Sequence, residues 1–101
     1  MKVVLSQFEG IDNTPALPLA AGVLVASAKL DSDLAREAAF SIVVRRGSIE
    51  EVVAGYDQPD VLGFSLYPWN FAYSLAVAAA AREAYPNALI VAGGPAVPRP
   101  Q

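Results

Sequence analysis

Four short apolar runs lie along this chain: Lys2 to Phe8, Ala38 to Arg45, Val61 to Leu66 and Ala88 to Ala92. None exceeds eight residues, and each ends at Gly, Pro, Asp or Asn within a few positions, as strands buried in a parallel sheet do. Helical spacing fills the intervals. Leu17, Ala20, Ala21, Leu24 and Ala28 mark a helix from Leu17 to about Leu30, entered from Asn13 or Thr14 as cap. Ser48 with Glu51 reads as a capping box before a short helix that ends near Gly55. Asn70 is placed to cap a helix from Phe71 to Tyr85, closed by Pro86 and Asn87. The stretch between the first helix and the second apolar run reads as a polar turn.

Strand and helix thus alternate three times. Right-handed crossovers then give an α/β fold with a parallel sheet and helices on both faces. The expected arrangement is flavodoxin-like (Rossmann-like), with strand order 2-1-3-4 and without the fifth strand that completes such a sheet. Two helices lack a polar outer stripe: no charge occurs from Thr14 to Ala28 or from Asn70 to Ala81. Residues 1–101 therefore read as one domain, the front part of a larger protein whose missing helices would cover those faces. The other reading is a small Ala-rich domain whose helices lie close to the sheet.

The residue types that are absent narrow the chemistry. There is no Cys and no His among 101 residues. This chain therefore offers no thiol nucleophile, thiolate zinc site, Cys-ligated iron–sulfur cluster, imidazole base or imidazole metal ligand. The net charge of -3 comes with scattered Lys and Arg and no basic stripe, so nucleic acid is not an expected partner. Thr14 to Ala28 is broken by Pro15, Pro18 and Gly22, and a bilayer crossing takes about 20 apolar residues, so no membrane partner is expected either. No signal-peptide core follows Lys2, and the chain reads as cytoplasmic.

In a doubly wound sheet the ligand crevice lies beyond the carboxyl ends of the strands, where the order reverses. Three segments meet there: Gln7 to Pro15, Ser65 to Asn70, and Gly93 to Pro95. Tyr67 and Trp69 set large flat surfaces in a loop, either to line a site or, for Trp69, to cap the core. Gly93-Gly94 ends a strand without side chains, which either admits a ligand closely or makes an ordinary turn. Ser65 offers a hydroxyl to a ligand or to the backbone. Glu9 and Asp12 read as solvated loop charges rather than a working carboxylate pair. Gly10 to Pro15 is not the G-x-G-x-x-G of a nicotinamide site or a P-loop. A receiver-domain Asp would stand where Ser65 and Leu66 are.

Taken together, Val61 to Asn70, Tyr85-Pro86-Asn87-Ala88 and Leu89 to Pro95 resemble the N-terminal cobalamin-binding domain of cobalamin-dependent radical S-adenosylmethionine (SAM) enzymes. The opening Ser6 to Gly10, with Asp12 to Leu19, is similar to methylases of carbapenem antibiotic biosynthesis. The resemblance implies cobalamin as cofactor, held at Phe8, Ser65, Leu66, Tyr67, Trp69, Asn70, Gly93, Gly94 and Pro95. Its nucleotide tail would enter near Ser65 and Gly93-Gly94, and its corrin ring would lie over the strand ends. Many cobalamin domains carry D-x-H-x-x-G after the first strand; Phe8 to Asp12 has no His, which implies base-off, His-off cobalamin with Trp69 against the lower face. S-adenosylmethionine and an iron–sulfur (4Fe-4S) cluster would belong to a downstream radical SAM domain, which would also meet the small-molecule substrate. No catalysis is expected from this chain alone, and the alternative is a non-enzymatic flavodoxin-like binding or interaction module.

Overall fold

The structure, a computed structural model, describes residues 1–9 and 19–97. The expected caps Asn13 and Thr14, the residue Asp12 and the end of the Pro-rich tail lie outside the described residues. Eight elements follow one another: β1 (Lys2–Ser6), α1 (Leu19–Lys29), α2 (Ser32–Glu37), β2 (Ala39–Val43), α3 (Ile49–Tyr56), β3 (Val61–Ser65), α4 (Phe71–Ala84) and β4 (Leu89–Gly93). The strands form one sheet in the order β2-β1-β3-β4, every pair parallel. This is the flavodoxin-like arrangement expected from the sequence.

Register sorts the side chains between two faces. Val4 pairs with Leu62, and Ser6 with Phe64 and Val43. These point toward α3 and α4, where Val53, Tyr56, Val77 and Ala81 join them in the core. Full burial of each such side chain contributes roughly 1.5–3 kcal/mol, so this face holds most of the stability. Val3, Leu5, Gly63 and Val91 fall on the opposite face, toward α1. That face is only partly covered: Leu89 is 60% exposed on β4 and Val23 62% on α1. No helix among the described residues is long and apolar enough to cross a membrane.

Two local expectations are corrected. The polar turn after α1 contains a helix, α2, opened by Asp31, whose carboxylate accepts from Asp33 and Leu34 N–H groups at 3.0 and 3.1 Å. It buries no residue, so it leaves no apolar period. The helix that starts after Ser48 ends at Tyr56, beside Gly55 as expected, and Asp57 takes the left-handed φ of 48° that ends it. Ser48 does cap this helix through Glu51 N–H at 3.2 Å. Asn70 occupies the N-cap position of α4 but makes no side-chain cap bond, since its amide is bound elsewhere.

Candidate ligand groove

Parallel strands deliver all their carboxyl ends to one edge, and here β3 and β4 continue past it together. Leu66 N–H donates to Gly93 O at 2.7 Å, and Ala96 N–H returns to Leu66 O at 3.1 Å. The turn depends on Gly94. Its φ is +105°, and a Cβ there would lie 2.6 Å from the Leu66 carbonyl oxygen. Gly93 differs: a Cβ added to it meets nothing within 4 Å. Gly63, one row deeper, would drive a Cβ to 2.6 Å from Leu5 Cδ2. The absence of side chains at Gly63 and Gly93 leaves a groove of about 270 Å³ on the α1 side of the sheet. Leu5, Val91, Ala20 and Leu24 make its walls apolar, with Ser65 and Tyr67 at its mouth.

The loop beyond β3 is braced from beneath. Asn70 is buried, and its Oδ1 accepts from Tyr67 N–H at 2.9 Å while Nδ2 donates to the carbonyls of Phe8 and Ser65, both at 3.1 Å. One amide therefore joins the exits of β1 and β3 to the loop itself. The Tyr67 and Trp69 rings stack above it, 4.6 Å apart and 12° from parallel. Trp69 is 56% exposed, so it does not cap the core. The reason is that Phe8, edge-on to Tyr73 at 4.8 Å, already fills the space under the loop.

The structure brings Ser65, Tyr67, Gly93 and Gly94 around one groove. Trp69 is held against Tyr67 at its rim, and Pro95 follows the Gly94 turn. Phe8, Leu66 and Asn70 are buried behind it as support. Glu9 is no solvated loop charge: it is 8% exposed, and its Oε2 has no hydrogen-bond partner among the described residues. Gln7 has turned its side chain to the first turn of α1, accepting from Ala21 N–H at 3.0 Å.

Two contributors were not singled out from sequence. Gly63 carried a readable signal, because a glycine inside an apolar strand marks close approach. Arg46 carried none. Its Nε donates to Glu9 O at 2.8 Å, its Nη2 donates to Trp69 O, and its guanidinium lies 4.9 Å from the Tyr73 ring centroid.

No family model matches the sequence. Two curated proteins do resemble it closely. The chain is 42% identical over 92 residues to the cobalamin-dependent radical SAM methyltransferase TokK of Streptomyces tokunonensis. It is 41% identical over 92 residues to the 2-(S-pantetheinyl)-carbapenam-3-carboxylate methyltransferase of Streptantibioticus cattleyicolor. Each match takes in 90% of this chain but 14% of the relative, so the chain spans about one-seventh of the length of the proteins it matches. By sequence the chain is similar to one short segment of these two longer methyltransferases.

Proposed function

We propose that this chain is the cobalamin-binding part of a radical SAM methyltransferase that acts on a carbapenam-like molecule in antibiotic biosynthesis. The observation that carries the reading is the glycine-floored groove at the ends of β3 and β4, in a chain whose relatives are named for cobalamin dependence and for carbapenam methylation. A groove of about 270 Å³ is assigned here to the nucleotide tail and not to the larger corrin ring. A base-off nucleotide tail would enter between Gly63, Gly93 and the α1 residues Ala20 and Leu24, with Ser65 offering its hydroxyl at the mouth. The ring would then lie over the strand ends against the Tyr67–Trp69 pair.

What the bound cofactor supplies is a cobalt centre able to carry a methyl group. This chain supplies position and exclusion. With no His in the sequence, it offers no imidazole to the lower face of cobalt. Trp69 in that place would present an indole N–H donor and no ring lone pair for a metal, so it would hold the cofactor without ligating it. S-adenosylmethionine, the iron–sulfur cluster and the substrate would be held by a partner radical SAM domain, because this chain has no Cys to ligate a cluster. Gly94 is a poor place to test the groove, since its substitution breaks the turn. Gly93→Leu fills the groove from a position with open space. Hydroxocobalamin titrated into the chain is expected to quench the lone Trp69 saturably, and Gly93→Leu to abolish that quenching while far-ultraviolet circular dichroism stays unchanged. Equal affinity in the two proteins would refute the groove, and no saturable quenching in either would leave a non-enzymatic interaction module as the better reading.

A further inference from the structure

We propose that Arg46 is a positioning residue for the aromatic rim of this groove, holding the Tyr67–Trp69 pair in place before any ligand arrives. The argument begins with where its donors go. Arg46 leaves the carboxyl end of β2 and passes the buried Glu9 carboxylate without pairing to it. It donates instead to two backbone carbonyls, Glu9 at the exit of β1 and Trp69 in the loop after β3. Fixed, directional donors on carbonyls set backbone position in a way a freely rotating ammonium does not.

The clasp is closed from the other side. The Tyr73 ring underlies the guanidinium, and Tyr73 Oη donates to Gly47 O at 2.8 Å and accepts from Gly47 N–H at 3.0 Å. Arg46, Gly47, Tyr73 and Trp69 therefore form a closed ring of contacts between the β2 exit and the loop before α4. Asn70 fixes one side of that loop, and among the described residues Arg46 is the other side chain that bonds its backbone. An exposed Trp69 on a half-buried Tyr67 in a short loop has many other arrangements open to it, and ordering the pair in advance removes that cost from binding.

The role of the pair toward cobalamin rests on the function proposed above, and the test separates the two ideas. Arg46→Lys keeps the charge and loses the fork; Arg46→Met keeps the stem and loses both. Each is expected to weaken the near-ultraviolet circular dichroism of the Tyr67–Trp69 stack and to lower Trp69 fluorescence anisotropy, with far-ultraviolet dichroism unchanged. These readings need no ligand. Hydroxocobalamin affinity is expected to fall about tenfold in Arg46→Met, and by much less when the same change is made in Trp69→Ala, since coupled residues do not add. Unchanged dichroism and anisotropy in both variants would overturn the proposal. So would equal losses of affinity with and without Trp69, because a general structural role predicts additivity. Absence of cobalamin binding in the unaltered chain would reject the cofactor reading and leave the spectroscopic test of Arg46 standing.

Discussion

Asn70 leaves three backbone groups in its debt, and each becomes an orphan when the amide is removed. Asn70→Ala strips partners from Tyr67 N–H, Phe8 O and Ser65 O. An unpaired buried group costs about 1–3 kcal/mol, so urea unfolding is expected to register a loss of roughly 3 kcal/mol or more. Asn70→Asp is nearly the same shape and should do no better at neutral pH, because its second oxygen would face two carbonyls. A mild effect of either would mean that the loop is held by something else. Tyr56 makes a different kind of test. Its hydroxyl pairs with Ser6 Oγ at 2.8 Å inside the core, and burial pushes its pKa up to about 12, against the opposing pull of that hydrogen bond. The folded value lies above the unfolded one of about 10, so the unfolded chain loses its proton first. The stabilisation is full below pH 10 and is lost as pH rises toward 12, by about 2–3 kcal/mol in all. Unfolding free energies measured from pH 9 to 11.5 should fall with this slope, and Tyr56→Phe should flatten it.

At the scale of elements, the two glycines after β4 are expected to part company. Gly94→Ala meets both a positive φ and the Leu66 carbonyl, and should lower stability by about 1–3 kcal/mol; Gly93→Ala, with open space around it, should change the thermal midpoint little. Equal midpoints would show that the turn can relax. This pair also marks how far the sequence was legible. The four strands, α1, α3 and α4 could be read because their periods reflect burial that each element needs along its own length. Sheet order followed from connection rules. By contrast, α2 buries no residue and so leaves no apolar period to read. The glycine pair was visible as a pair, but only geometry assigns the turn to Gly94 and the open position to Gly93. Arg46 could not be found, because its partners are main-chain carbonyls 37 and 23 positions distant and carry no side-chain identity.

The whole molecule is lopsided. Its sheet has one face sealed by α3 and α4 and another that α1 covers in part, with Leu89 and Val91 exposed on the edge strand β4 and Val23 and Leu24 exposed on α1. Parallel sheets are ordinarily covered on both faces, and an uncovered apolar edge strand invites pairing with another chain. The unsealed surface surrounds the groove, since Leu24 and Val91 are both among its walls. On the function proposed above, a bound cofactor would cover part of that area. By itself the chain is expected to bind a hydrophobic dye and to associate as concentration rises. Leu89→Lys and Val23→Lys separate association from folding, because both side chains stand outside the core and the groove lining. The double variant should sediment as a monomer where the unaltered chain does not, with an unfolding free energy within about 0.5 kcal/mol, as for surface changes generally. A dye-silent, strictly monomeric unaltered chain would show that the exposed face needs no cover. Loss of stability in the double variant would show that these side chains belong to the core after all.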